Sequence, residues 1–326
     1  MRALVTGATG KIGNALVHLL AERGHEVRAL LRDPVRAAPH LPAGAETVQG
    51  DVTDPGSLPQ AVEGCDVVFN AMGLPEQWLA DENDFHRVNA LGSENVTKAA
   101  RAAGVPRFVH TSTIDVFHAE RGARFDESNV ADYPKGTPYE RSKQEAERLV
   151  LAAAGDGLEV VIANPSAVYG PGPGGAGSSF EENLMRPIVK KRLPAVPPGG
   201  MGVTFNRGAA DALLRIAERG RPGERYIVCD RHATMKELAD SVVRIAGRGR
   251  VPPVLPVPVA KAMAGAGEAL SRAIHRPPLL PRGQLYFFLW DAAPDSSKVQ
   301  EELGWEPTPL DEGLRVTLAE MDPPLD

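Results

Sequence analysis

Tyr139 and Lys143 stand four residues apart in PYERSKQEAERLV, so on a helix they share a face, one turn apart. A free tyrosine ionises near pH ~10, too high for proton exchange at neutral pH without help. An ammonium group beside the phenol favours the phenolate and draws that pKa down, which makes the phenol a usable acid or base. The chemistry predicted is proton transfer to or from an oxygen. Tyr-x-x-x-Lys also occurs on ordinary surface helices, and position selects between the two readings. Here the pair follows a strand ending in HTST, where a catalytic helix of an α/β sheet belongs.

A second set of residues suits phosphate. Gly7, Gly10 and Gly13 punctuate TGATGKIG, between an apolar run and an amphipathic segment. Glycines at these places permit a tight turn, bring backbone N–H groups up to a pyrophosphate, and let helix and strand pack closely. In a chain with 33 glycines the spacing alone says little. Preceded by a strand that starts at residue 3 and followed by a helix, it predicts a dinucleotide site.

Both sets need an open parallel sheet to hold them, and the periodicity of the chain supplies one. Short β-branched runs alternate with helix-length amphipathic segments through the first two-thirds, the pattern of a doubly wound α/β sheet. Strands are expected at Ala3-Leu4-Val5, Glu26 to Leu31, Glu46-Thr47-Val48, Asp66 to Asn70, Arg107 to Thr111 and Leu158 to Ala163. A helix is expected from Gly13 to Arg23, with Leu16, Leu19 and Leu20 on one face. After Asn164 the turn-rich NPSAVYGPGPGGAGSS changes the texture down to about Met201, and a second domain is expected to begin there. Asp211 to Arg219 then reads as a helix and Arg225 to Cys229 as a strand returning to the main sheet. From about Thr234 the chain is helical and broken by prolines; its most apolar piece, PPVLPVPVAKAMAGAGEAL, reads as a core element or as a wall of an apolar substrate pocket. The expected fold class is α/β: a Rossmann doubly wound parallel sheet over 1–165, rejoined by 206–231, with a smaller, mostly helical C-terminal substrate domain from 166–205 and 232–326.

Several function classes are disfavoured. The net charge of −6 repels phosphate backbones and anionic lipid, so no nucleic acid and no membrane partner is expected. Cys65 and Cys229 form no paired or ligand spacing and the eight histidines form no ligand set, so no metal is expected. No apolar run reaches the ~18 residues of a membrane span, and MRALVTG runs straight from strand to turn without a signal peptide; the expected location is cytoplasmic. Ser142 and Ser166 lack a nucleophile elbow. Glu140, Arg141, Glu145, Glu147 and Arg148 read as the solvated face of the Tyr139 helix.

With both motifs in place, the sequence resembles the extended short-chain dehydrogenase/reductases, and within them the dihydroflavonol-reductase and 3β-hydroxysteroid-dehydrogenase branch. The resemblance runs over essentially the whole chain. Besides TGATGKIG and YERSK it rests on GDVTD, NALGSENV, NPSAVYGPG and the closing DSSKVQEELGWEPTPLDEGL. It implies that Asp51 and Val52 lie against an adenine and that Asn89 is the structural asparagine. Phe117 stands four places after Thr113, which implies that Thr113 is the hydroxyl that hydrogen-bonds the substrate oxygen, with Ser112 a neighbour. Tyr139 takes the role of proton donor or acceptor, and Lys143 that of holding the nicotinamide ribose while tuning the phenol. Hydride arriving at a carbonyl carbon leaves charge on oxygen, which needs preorganised donors and a proton, and a hydroxyl with an acidic phenol suffices. The remaining cofactor contacts the resemblance implies are Thr9, Lys11 and Ile12 beside Gly7, Gly10 and Gly13, then Asn70, Ala71 and Met72, then Asn164 and Pro165.

At the end of the second strand, NAD-using relatives carry an acid where Leu31 stands here, to accept from the ribose hydroxyls. Arg32 follows instead, and its guanidinium suits a 2′-phosphate. NADP is the expected cofactor and NAD the alternative, since Asp33 is either a ribose ligand or a partner of Arg32 or Arg36. Three departures stand out. FNAMG replaces the usual histidine and two alanines after strand four, TFNRGAADA lacks paired acids at Arg207 and Gly208, and Asn164 stands where sugar-nucleotide members often have arginine. The second of these bears on packing of the C-terminal part. The expected activity is interconversion of a ketone and a secondary alcohol on a mainly apolar small molecule of steroid, flavonoid or keto-acyl type. A nucleotide-sugar epimerase or dehydratase is the alternative on the same scaffold, requiring cations for a second diphosphate and an acid or base beyond Tyr139. A non-catalytic dinucleotide sensor is a third, disfavoured by Thr113, Tyr139 and Lys143 together. A homodimer is usual in similar proteins.

Overall fold

The structure, a computed structural model, describes residues 1–75, 78–173, 180–274, 278 and 280–321. Its strands in chain order are β1 (Arg2–Thr6), β2 (Glu26–Leu31), β3 (Glu46–Gln49), β4 (Val67–Asn70), β5 (Arg107–Thr111), β6 (Arg124–Phe125), β7 (Glu159–Pro165), β8 (Ala167–Tyr169), β9 (Gly200–Phe205), β10 (Arg225–Val228), β11 (Arg231–Thr234) and β12 (Ala293–Pro294). Seven of them form one parallel sheet in the order β10-β7-β5-β4-β1-β2-β3. The near-continuous apolar runs follow from this position, because helices cover both faces. Along β1 the alternation is visible: Ala3 and Val5 join the core under the helices Lys11–Glu22 and Asn206–Arg219, while Leu4 joins the opposite core with Val96 and Val150. This is the Rossmann fold, and its strand order reverses between β1 and β4, opening a crevice at their carboxyl ends.

The six strands expected in the first part are all present, within two residues at each end, and β10 pairs with β7. The first helix begins at Lys11 rather than Gly13, because the turn closes within Gly7–Gly10 and Gly10 is its N-cap. Asn206–Arg219 begins five residues before the expected Asp211, directly off β9. There the missing acids are replaced by a different closure. Arg207 pairs with Glu320 at 2.6 Å, and the Gly208 carbonyl accepts the Trp305 indole N–H at 2.9 Å.

Turn-rich composition concealed a second sheet, β11-β9-β8, and a two-stranded β12-β6 pair. In β9 a Cβ on Gly202 would stand 2.8 Å from Pro294 Cγ and 2.9 Å from Cys229 Sγ, so these glycines mark close approach rather than a loop. Beyond it lie the helices Met235–Ala246, Val257–Ile274, Arg282–Trp290, Ser297–Leu303 and Leu310–Ala319. The apolar piece from Val257 packs one face, Ala260 and Ala264, against Leu285, while Val259, Met263 and Leu270 are exposed.

Candidate active site

The turn after β1 lies hard against the end of β4. Gly7 has φ +68°, and a Cβ there would stand 2.6 Å from the Ala71 carbonyl oxygen and 2.7 Å from the Met72 nitrogen. Gly10 N–H donates to the Gly7 carbonyl at 2.8 Å, and Gly13 packs on that carbonyl more closely than any Cβ allows. The first-turn N–H groups of Lys11, Ile12 and Gly13 follow directly from this turn, in which Thr9 is half-buried, and the helix has no side-chain cap to take them. Thr6 locks the two strands, its hydroxyl donating to Asn70 Oδ1 at 2.7 Å and accepting Met72 N–H at 3.3 Å. Asn70 is fully buried, its Nδ2 at 3.0 Å from Ser93 Oγ and 3.2 Å from His110 Nδ1. In place of the usual histidine it therefore ties β1, β4 and β5 together, leaving Ala71 and Met72 to line the loop. Lys11 does not extend toward the crevice: its ammonium donates to the Gly170 carbonyl at 2.8 Å and pairs with Glu181 at 3.1 Å.

At the far edge, Asp51 Oδ1 accepts both the N–H and the hydroxyl of Thr53 at 2.8 Å. Burial pushes its carboxyl up, but the Thr53 hydrogen bonds and the charges of Arg32 and Arg87 outweigh this and hold it below the usual range. Val52 lies on Gly92, where a Cβ would meet Val52 Cγ2 at 2.8 Å, and Asn95 Nδ2 donates to the Val52 carbonyl at 2.9 Å. Arg32 is exposed beside this floor. Asp33 caps the short helix Pro34–Ala37, accepting from Arg36 N–H at 3.1 Å, so its carboxylate is turned into its own loop.

The third group sits on the helix Pro138–Ala152, fixed at its start by a capping box between Thr137 and Glu140 and by Pro138. Tyr139 and Lys143 are both buried on its inner face, Tyr139 meeting Phe85 edge-on at 5.9 Å. Lys143 Nζ donates to the Thr111 carbonyl at 3.0 Å. Burial lowers this ammonium to about 8, against the opposing pull of Glu147 and Asp115. Asn89 joins the helix to the loop after β4, its Nδ2 donating to Ser142 Oγ and to the Leu74 carbonyl, each at 3.0 Å. Thr113 follows β5, its carbonyl accepting from Asn164 Nδ2 at 3.0 Å. That asparagine also donates to Glu147 at 2.8 Å, and Glu147 pairs with Arg225 at 2.7 Å. Asn164 is thus fully buried scaffolding behind Thr113, at the end of β7 next to Pro165.

Two expectations need correction. Glu140 and Glu147 are 6% and 2% exposed, so they are not part of a solvated face; Arg141 and Arg148 are, with Glu145 half-exposed and paired to Arg148. Each buried acid has its partners: for Glu140 the capping-box Thr137 and the ammonium of Lys135, and for Glu147, from elsewhere in the fold, Asn164 and Arg225. Sequence reasoning also passed over Asp115, which accepts the Thr113 hydroxyl at 2.9 Å. Its signal was an acid two residues past that hydroxyl within an apolar run.

A dinucleotide fits the residues present on two observations. The glycine turn is a cradle that excludes a Cβ at Gly7 and Gly13 and leaves little room for one at Gly10. At the other end of the crevice, beside Lys143, Thr111 Oγ1 and Ser112 Oγ are buried without a partner among the described residues. The reversal of strand order, the glycine turn and the tyrosine–lysine helix define an NAD(P)-dependent enzyme of the extended short-chain dehydrogenase/reductase class. The chain belongs to the NAD dependent epimerase/dehydratase family, whose model matches residues 3–229. It is 30% identical to sterol demethylase protein B of Methylococcus capsulatus over 94% of both chains. It is 33% identical, over 94% of this chain and 92% of the other, to a Stigmatella aurantiaca ketoreductase acting on 4-hydroxy-2-methyl-3-oxo-4-farnesyl-3,4-dihydroquinoline-1-oxide. Among solved structures it shares its fold with the NAD complex of Thermus thermophilus UDP-glucose 4-epimerase, with TM-score 0.76, 24% identity and 98% of each chain covered.

Proposed function

We propose that this enzyme interconverts a ketone and a secondary alcohol on a mainly apolar small molecule, with NADP(H) as cofactor. The observation that carries the reading is the burial of Tyr139 and Lys143 on one helical face against the end of β5, beside Thr113. In this reading Gly7, Gly10 and the N–H groups of Lys11, Ile12 and Gly13 hold the pyrophosphate, Asp51 and Val52 the adenosine, and Arg32 its 2′-phosphate. A bound nicotinamide supplies or accepts the hydride. Lys143, whose ammonium has three hydrogens and donates one to the Thr111 carbonyl among the described residues, orients the ribose and supports the phenolate. Tyr139 gives its proton to the substrate oxygen during reduction and takes one during oxidation, while Thr113 hydrogen-bonds the same oxygen. The parts 166–205 and 232–326 close over the substrate, and 1–165 with 206–231 holds the cofactor. The apolar character of the substrate rests on the ketoreductase relative, whose named substrate carries a farnesyl chain, and on the buried neutral Asn164, which offers no charge to a second diphosphate.

The test is consumption of NADPH with a panel of steroid, flavonoid and keto-acyl ketones, run beside UDP-glucose. Ketone-dependent oxidation of NADPH is expected. Conversion of UDP-glucose to its epimer with no net use of cofactor would replace this reading with the epimerase one.

A further inference from the structure

The segment after β5 holds an acid for which the proposed chemistry has no use. Asp115 lies in the single turn Ile114–Val116, against the helix Pro138–Ala152. Its Oδ2 accepts the Thr113 hydroxyl hydrogen at 2.9 Å and its own N–H donates to Thr113 Oγ1 at 3.3 Å. Its other oxygen, Oδ1, is buried with no partner among the described residues, and no cation lies within ion-pair distance among them.

A threonine hydroxyl has one hydrogen. Directed at Asp115, that hydrogen is withheld from a substrate carbonyl, and Thr113 offers only a lone pair. Resting on the ketone–alcohol reading of the site, we propose that Asp115 is a positioning residue whose own proton decides whether Thr113 offers the substrate oxygen a hydrogen or a lone pair. Protonated, the carboxyl O–H donates to Thr113 Oγ1, and the threonine hydrogen turns to the substrate, as a carbonyl requires. Ionised, having released its proton to water, the carboxylate takes the threonine hydrogen, and Oγ1 accepts from a substrate hydroxyl, as an alcohol requires.

The surroundings make the protonated form accessible. An ionised carboxylate with one buried, unpaired oxygen is costly, whereas a neutral acid bears that arrangement more easily. The charged groups facing Asp115 are Glu140 and Lys143 from the helix Pro138–Ala152 and Lys135 from the segment before it. Lys135 is engaged elsewhere, donating to the Phe117 carbonyl at 2.8 Å and pairing with Glu140 at 3.6 Å. Burial and the Glu140 charge push the acid up to about 7, against the Thr113 hydrogen bond, Lys135 and Lys143.

The test begins with carbon-13 NMR of protein labelled at its aspartate carboxyl carbons, the Asp115 signal being the one lost in Asp115→Asn. It should titrate near neutrality, its midpoint rising in Thr113→Val, which removes a donor to the ionised form, and falling in Glu140→Gln. A midpoint in the ordinary aspartate range near ~3.9, or one that Thr113→Val leaves in place, overturns the proposal. That readout needs no turnover, so it stands whether or not any ketone is reduced; a dead ketone panel would overturn the activity alone. With an active ketone, reduction should show a fall of about tenfold per pH unit that begins at the Asp115 midpoint measured by NMR, separate from the fall set by ionisation of the Tyr139 phenol, and Asp115→Asn should abolish the fall at that midpoint alone. Persistence of the fall in Asp115→Asn would overturn the link to Thr113.

Discussion

Tyr139 and Arg32 are the two side chains whose removal separates chemistry from cofactor choice. In Tyr139→Phe the ring keeps its edge-on contact with Phe85 and only the oxygen is lost, so turnover should fall ~10²–10⁴-fold, the usual contribution of a general acid or base, with the cofactor Kd little changed. Steady-state rates and a fluorescence titration decide it: more than about a tenth of wild-type activity remaining would remove Tyr139 from the proton-transfer role. Arg32 is exposed beside Asp51, and Asp33, the competing ribose ligand, is occupied as a helix cap. A charge-assisted bond contributes about 1.5–3 kcal/mol, so Arg32→Ala should weaken NADPH roughly 10- to 150-fold and leave NADH nearly unchanged. Equal losses for both cofactors, or tighter binding of NADH by the wild type, would reverse the assignment.

The helix Pro138–Ala152 shows what a sequence pattern can and cannot carry at the level of an element. The four-residue spacing puts Tyr139 and Lys143 on one face, whereas the capping box of Thr137 and Glu140 ahead of Pro138, though a local signal, is missed when Glu140 is read as solvated. The burial of Glu147 was not legible, because its partner Arg225 lies 78 residues away and only the β7–β10 pairing brings the two together. For the same reason β9 was hidden: its glycines look like loop residues until Pro294 and Cys229 are known to press against them. Strands β1, β2, β4 and β5 needed no such partners, each being a mainly buried run bounded by turns, and β3, which buries only Val48, is legible from its β-branched Thr47 and Val48. The cap itself can be tested. Thr137→Ala removes the acceptor for Glu140 N–H at 3.1 Å, and should cost about 1 kcal/mol of stability in denaturant or thermal unfolding. Because that helix carries Tyr139 and Lys143 within its first two turns, fraying there should lower kcat as well. A variant as stable as wild type would show that tertiary packing alone holds the helix start.

Across the whole molecule, Lys11 is where the cofactor loop and the segment after β8 are joined. The resemblance places this lysine along the cofactor, while the geometry gives its ammonium to Glu181 and to the Gly170 carbonyl. Glu181 is only 5% exposed and also accepts Gly170 N–H at 2.7 Å, so the pair holds a buried turn against the glycine loop. The two roles differ in what Glu181→Gln does. If Lys11 touches phosphate directly, Lys11→Met weakens the cofactor in a salt-dependent way and Glu181→Gln leaves it unharmed or improves it, by freeing a cation. If Lys11 acts as a tie, each substitution loosens the same loop, both weaken the cofactor by a similar factor, and the double variant is scarcely worse than either. Breaking a buried pair from one side costs about 3–5 kcal/mol, and the 19% exposure of the Lys11 side chain places the expected stability loss below that range. Titrating NADPH into the four proteins of this cycle at two salt concentrations, with unfolding measured in parallel, decides between them. We expect the tie: matched losses of affinity, a coupling energy of about 0.5–3 kcal/mol, and little dependence on salt. Additive losses, or a Glu181→Gln protein that binds NADPH as tightly as wild type, would return Lys11 to the phosphate.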